Sequence, residues 1–244
     1  MLRIKVPNLV SRLFTVSVLI GILSLSACST ISSNKPTQST NTGRKPVIGL
    51  ALGGGAARGF AHIGVIKALE ANGIKPDLVV GTSAGSVIAA IYATGVSGND
   101  LNRIAINLDE ASITDWAMPF SSKFGGLIKG DALQSEINRL VSNRPIDKMK
   151  IPLGVVSTDL KTGNSILFQR GDTGQAVRAS CSVPGVFAPT IIGGREYVDG
   201  GLTAPVPVLF AKKMGADIVI AVNISSEPST QDFGHHFANH NDYG

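Results

Sequence analysis

The stretch Gly81-Thr82-Ser83-Ala84-Gly85 constrains this chain more than any other. It follows the run Asp77-Leu78-Val79-Val80 and precedes Ser86-Val87-Ile88-Ala89-Ala90-Ile91-Tyr92. The first run has the length of a buried strand, the second the length and alanine content of a helix. A serine between two glycines at a strand-to-helix turn is the nucleophile-elbow pattern G-x-S-x-G. The turn is tight enough that side chains two residues before and two after the serine would collide. The serine backbone is held in a sparsely populated conformation, which pushes Oγ beyond the sheet edge. The N–H groups that open the helix aim at the same spot and favour negative charge there. A Gly-Ser loop that merely caps a helix would share these five residues, so the rest of the chain has to decide.

Residues Met1 to Ala27 stand apart from the fold. Arg3, Lys5 and Arg12 make a basic head, and an apolar run from Leu13 to Leu25 follows. This is the pattern of a secretory signal, too short for a comfortable membrane span. It ends Leu25-Ser26-Ala27-Cys28, which resembles the bacterial lipobox, where the cysteine is lipidated and becomes the mature N-terminus. An ordinary signal peptide with an incidental cysteine is the alternative. Ser29 follows the cysteine, and the resemblance then implies outer-membrane sorting. Only two cysteines occur, Cys28 and Cys181, so a lipidated Cys28 leaves Cys181 without an intramolecular partner. An exported chain without a disulfide relies on its core, and the 217 residues after Ala27 suffice for one domain. Without the three basic residues of the leader the formal charge falls from +5 to +2. That is too mild to argue for nucleic acid. Residues 28–45, rich in Ser, Thr, Asn, Lys and Pro, read as a disordered tether.

The domain is expected over residues 46–226. Pro46 to Leu52 reads as a first strand, continuous and apolar, as in a parallel sheet covered on both faces. Gly53-Gly54-Gly55-Ala56-Ala57-Arg58-Gly59 follows, then a helical pattern from Phe60 that Asn72-Gly73 closes. The order strand, glycine loop, helix, strand, elbow, helix places two loops at the carboxyl ends of neighbouring strands, where such sheets put their sites. The loop fails as a dinucleotide fingerprint, because a start at Gly53 meets Arg58 where the third glycine belongs. It fails as a phosphate loop, because Phe60-Ala61 replaces Lys-Ser/Thr. No nucleotide is therefore expected. An oxyanion hole remains, in which residues without side chains let backbone N–H groups approach a developing O⁻. A turn that simply packs tightly is the alternative.

Further along, Leu101–Leu108 and Asp131–Leu140 read as helices. Ala111 to Gly126, with its aromatic and Pro/Gly residues, reads as an apolar cap, a membrane-touching edge or an irregular buried loop. Ile151–Leu160 and Ser165–Phe168 read as a hairpin. A short helix over Gln175–Ser180, a helix over Pro207–Met214 and a last strand over Asp217–Asn223 complete the pattern. Asp199-Gly200-Gly201 follows an extended run, so its carboxylate can sit on an exposed turn; alone, such a tripeptide is usually just a turn.

Its weight comes from company. The glycine loop running on into Phe60-Ala61-His62-Ile63-Gly64, the elbow, Arg178-Ala179-Ser180-Cys181-Ser182-Val183-Pro184 and Asp199-Gly200-Gly201 stand in one order. Together they resemble the patatin-like phospholipase family from about Pro46 to Asn223. The resemblance implies a three-layer α/β/α fold with a mainly parallel central sheet. It implies a Ser-Asp dyad that hydrolyses lipid acyl esters without metal or other cofactor. Ser83 would be the nucleophile, and Asp199 would take its proton. N–H groups around Gly54, Gly55 and Ala56 would bind the oxyanion, with Arg58 holding that loop. Gly53, Gly59, Gly81, Gly85, Gly200 and Gly201 complete the motifs. Ala56 departs from the glycine common in the family, which matters only where φ must be positive. A Ser-Asp-His triad is the competing reading: His62 fits helix packing or a capping bond better, and His235, His236 and His240 lie in the polar tail of residues 227–244. Family members commonly continue past the last strand with a further helix and strand, so a shortened member with an apolar face left uncovered or covered by a partner is a further expectation. A catalytically silent envelope lipoprotein that binds lipid or a protein is the other function class. The leader itself is testable: Cys28→Ala is expected to yield a protein without N-terminal lipid, and identical intact masses for mutant and wild type would refute the lipobox reading.

Overall fold

The computed structural model describes residues 43–107 and 128–225. The chain divides into two units, Met1–Arg44 and Lys45–Gly244, and the fold below is that of the second. The predicted segment Ala111–Gly126, the leader and the polar tail lie outside the described residues.

The sheet is built on three strands enclosed on both faces. β1 (Ile48–Leu52), β2 (Leu78–Thr82) and β3 (Leu153–Asp159) are buried almost throughout. A strand buried on both faces reads as an apolar run, which holds for β1 and for β2 and β3 up to their carboxyl ends, where Thr82 and Ser157-Thr158-Asp159 are buried polar residues. β1 pairs in parallel with β2 on one side and with β7 (Ile218–Val222) on the other, and β2 pairs in parallel with β3. The antiparallel additions begin at β3. It pairs with β4 (Ser165–Phe168) in the expected hairpin and with β6 (Arg195–Asp199), which itself pairs with β5 (Thr190–Ile192). The path across the sheet is β5-β6-β3-β2-β1-β7, with β4 off it on β3.

Alternation along the strands sorts side chains onto two cores. Leu50, Leu52, Val79, Leu153 and Val155 pack on one face with the helices α1 (Ala61–Ala71), α2 (Ala84–Ala93), α3 (Gly98–Ile106), α4 (Asp131–Leu140) and α5 (Thr173–Ser180). Ala51, Leu78, Val80 and Val156 pack on the other with Phe210 and Ala211 of α6 (Val208–Lys213). Helices on both faces of a mixed sheet with a parallel centre give the expected α/β/α layers. Among the described residues α6 is the one helix on the second face, where Ala204 and Met214 also pack, and Ile218 at the outer strand is half exposed.

Helix α2 is the central element of the larger face. All ten of its residues are buried, and it touches the sheet and each of α1, α3, α4 and α5. Its small residues permit this, since a helix apolar all round must be enclosed all round. α3 is fixed instead by a capping box: Ser97 Oγ accepts the Asp100 N–H at 3.1 Å, and Asp100 Oδ2 accepts the Ser97 N–H at 3.2 Å. Among the described residues no helix is long and apolar enough to cross a membrane.

The elbow glycines are required by backbone contact. A Cβ on Gly85 would overlap the carbonyl oxygens of Leu52 and Gly53, and one on Gly81 would overlap the carbonyl of Gly85. Gly64, by contrast, points its α-hydrogens into open space from a helix interior. Gly64→Ala is therefore expected to stabilise the fold by about 0.5–1 kcal/mol, because alanine is the better helix former. Gly85→Ala is expected to destabilise it by about 3 kcal/mol, since backbone has to move. Urea unfolding of the two variants checks both signs.

Candidate active site

Ser83 lies between β2 and α2 with φ 50° and ψ −125°. Non-glycine residues avoid that region at a cost of about 1–3 kcal/mol, and the packing around Gly81 and Gly85 holds it there. Ser83 is the N-cap of α2, yet its side chain makes no capping bond. The hydroxyl turns to Asp199 instead: Oγ donates to Oδ2 at 2.6 Å.

The topology explains how residues 116 apart meet. β3 has two edges. Over Val155–Thr158 one edge is taken by β4. The other edge is shared in sequence: β2 uses it up to Thr82 opposite Val156, and β6 uses it from Asp199 opposite Ser157. The parallel strand leaves where the antiparallel one ends. The residue after Thr82 and the last residue of β6 are therefore brought together over consecutive positions of β3. Gly200 must be glycine for this, because a Cβ there would overlap the Val156 carbonyl.

Asp199 is only 6% exposed. Its Oδ1 accepts the Gly201 N–H at 2.6 Å. Burial raises its pKa above the ordinary carboxylate value, outweighing the opposite pull of the bonds from Ser83 and Gly201. The carboxylate is thus a stronger base than a free aspartate.

The glycine loop faces the pair. Gly54 packs against Ser83, so that a Cβ on it would lie 3.2 Å from Ser83 Cβ. Its N–H, one of three expected oxyanion donors, is already committed to the Pro205 carbonyl at 2.9 Å. The reason is that the loop prolongs the main-chain pairing of β1: Gly53 N–H likewise donates to the Val222 carbonyl at 3.0 Å. Gly55 and Ala56 are left, and their N–H groups have no acceptor among the described residues. Ala56 sits at φ 50°, so the one departure from the family glycine falls at a position of positive φ. A short 3-10 turn, Ala56–Phe60, then leads into α1. Arg58 Nη2 donates to the Ser225 carbonyl beyond β7 at 3.0 Å.

His62 has the structural role expected of it. It is fully buried, and Nε2 donates to the Gly53 carbonyl at 2.8 Å. A carbonyl only accepts, so Nε2 carries the proton. Burial lowers the imidazole pKa and keeps it neutral. The histidines of the tail lie outside the described residues. Two contacts escaped the sequence reading. Thr82 Oγ1 donates to the Ala204 carbonyl at 2.9 Å and ties the elbow to the loop after Asp199. Ser180 Oγ accepts the Ser83 N–H at 2.8 Å. The only signal for Ser180 was its place in the Arg178–Pro184 motif. Above the pair opens a cleft of about 370 Å³ whose walls include Val183, Pro184, Leu202 and Pro205. Leu202 is 60% exposed at its mouth.

A strained serine on an elbow, a buried carboxylate on its hydroxyl and the loop residues Gly55 and Ala56 thus line one cleft. Comparison with known proteins gives the family. The patatin-like phospholipase family matches residues 50–212. An uncharacterized NTE family protein of Mycobacterium tuberculosis is 36% identical over 180 residues, covering 74% of this chain and 49% of that protein. Human patatin-like phospholipase domain-containing protein 6 is 34% identical over 187 residues, covering 75% of this chain and 14% of that protein. Lysophospholipase NTE1 of Debaryomyces hansenii is 32% identical over 181 residues, covering 73% and 12%. This chain thus aligns with about half or less of each relative's length. VipD of Legionella pneumophila shares the fold, with a TM-score of 0.51 at 16% identity over 65% of this chain and 46% of VipD. The chain belongs to the patatin-like phospholipase family.

The raised pKa of Asp199 has a consequence for stability. Between the unfolded and folded pKa values the folded state binds more protons, so stability falls as pH rises through that window. Above the folded pKa the destabilisation is complete. Asp199→Asn keeps the shape and removes the buried charge. It is expected to melt higher than wild type at about pH 7.5, with the difference shrinking towards about pH 3.5. Thermal melts at the two pH values check this.

Proposed function

We propose that this chain is a serine acyl hydrolase that cleaves acyl esters of phospholipid or lysophospholipid. The observation that carries the reading is the 2.6 Å bond from Ser83 Oγ to Asp199 Oδ2 inside the cleft. The membership in a phospholipase family supports the substrate class.

The chemistry follows from these positions. Ser83 Oγ attacks the ester carbonyl carbon while its proton passes to Asp199 Oδ2. The carbonyl oxygen becomes an oxyanion, within reach of the N–H groups of Gly55 and Ala56. One oxyanion donor fixed in advance is worth about 3–4 kcal/mol where a side-chain donor has been removed. The intermediate collapses as the alcohol leaves with the proton from Asp199. Water then gives a proton to Asp199 and attacks the acyl-serine, and the fatty acid departs as Ser83 is restored. A free carboxylate near pKa 3.9 is a weak base towards serine, and burial of Asp199 narrows that gap. The leader and Cys28 support a lipid anchor at the bacterial cell envelope, which would hold the cleft close to its substrate.

The test is hydrolysis of a medium-chain p-nitrophenyl ester and of phospholipid by wild type, Ser83→Ala and Asp199→Ala. Wild type is expected to turn over, and both variants to lose about 1,000-fold or more in kcat while remaining folded. The acid limb of wild-type kcat/KM is expected above the ordinary carboxylate range, because Asp199 must be ionised to accept the proton. Full activity of Asp199→Ala would move the base elsewhere. A folded but inactive wild type would favour the silent lipoprotein.

A further inference from the structure

The turn that closes α5, Arg178 to Ser182, takes no part in the chemistry above. Yet it touches both members of the pair. Ser180 is fully buried. Its Oγ accepts the Ser83 N–H at 2.8 Å and donates to the Val156 carbonyl at 2.5 Å. Val156 is the partner of Thr82, where β2 parts from β3. Beyond that point the elbow lifts Ser83 away, and its N–H has no strand carbonyl within reach. The Ser180 hydroxyl fills the gap as a one-atom spacer between the nucleophile and the strand it has left. Two residues on, the Ser182 carbonyl accepts the Asp199 N–H at 2.9 Å. The Ser182 hydroxyl fastens the turn in place, to the Arg178 carbonyl at 2.8 Å and the Thr190 hydroxyl at 3.0 Å. One turn thus grips the main chain of both residues, independently of the bond between their side chains.

We propose that Ser180 is a positioning residue whose hydroxyl sets the height of Ser83 above β3 and so its alignment with Asp199. The proposal rests on the Ser83–Asp199 reading above. Only a group that accepts and donates at once can satisfy both neighbours, and a hydroxyl is the smallest that does. Without it the half-buried Ser83 N–H and the buried Val156 carbonyl both lose their partner. The strained elbow would then relax towards β3 and draw Oγ away from the carboxylate. A misplacement of about 1 Å costs on the order of 100-fold in rate.

The test compares the full chain as wild type, Ser180→Ala, Ser180→Thr and Ser180→Cys. Thr173→Val serves as control: it removes a comparably buried hydroxyl, bonded to the Arg144 carbonyl, at the far end of α5. Thermal melts establish folding, and ester hydrolysis gives kcat and KM. Ser180→Ala is expected to lose about 10- to 100-fold in kcat with KM changed by less than about threefold. A hydroxyl or thiol at the position is expected to restore part of that loss, and Thr173→Val to keep wild-type kcat. If Ser180→Ala does not fold, the threonine and cysteine variants are ranked against wild type, and equal kcat in both overturns the proposal. Unchanged kcat in folded Ser180→Ala also overturns it, as does an equal loss in Thr173→Val. A wild type that does not hydrolyse the ester or phospholipid marks instead the failure of the reading beneath.

Discussion

The main chain at Ser83 is held at φ 50° and ψ −125°, and much of the structure serves to keep it there. The strain is confined by contact on every side. Gly81 and Gly85 are in backbone contact with each other, and Gly85 also with the end of β1. Gly54 abuts the serine from the neighbouring loop, and Ser180 holds its N–H. Helix α2 leaves the elbow into a fully enclosed position, so it has no freedom to relieve the turn. The buried strands β1, β2 and β3 supply the rigidity that such a turn needs.

The second constraint is electrostatic. Among the described residues Asp199 has no cation or imidazole beside it, and its partners there are a hydroxyl and one backbone N–H. Desolvation therefore dominates and makes the carboxylate basic. The buried histidine of the site has another task. By donating to the Gly53 carbonyl, His62 fixes one end of the peptide plane whose other end, the Gly54 N–H, is fixed by Pro205. The plane that follows is left to present the Gly55 N–H to the cleft. Stability and reactivity are set against each other in the proposed mechanism, since the buried carboxylate and strained serine that weaken the fold are the groups that mechanism uses.

The parts of this design legible in the sequence are those fixed by local sterics or by burial. Gly81 and Gly85 announce the elbow because the collision they avoid spans four residues. The strands announce themselves because both faces are covered. The hairpin of β3 and β4 and the helices α4 and α6 follow from period and turn residues. Asp199 was legible only through the company of other motifs, because the meeting depends on how β3 divides one edge between two strands. The capture of the Gly54 N–H by Pro205 and the tie from Arg58 to Ser225 join residues far apart in sequence. No local pattern carries them. Ala56 is legible as a departure from the family glycine, but its positive φ belongs to the folded loop.

The most direct test of the account is the crystal structure of the protein after reaction with a fluorophosphonate. The account predicts one adduct, with phosphorus bonded to Ser83 Oγ and its oxygen about 2.7–3.1 Å from the nitrogens of Gly55 and Ala56. Asp199 would remain free beside it. A folded protein that takes no adduct, or an adduct whose oxygen turns away from that loop, would contradict it.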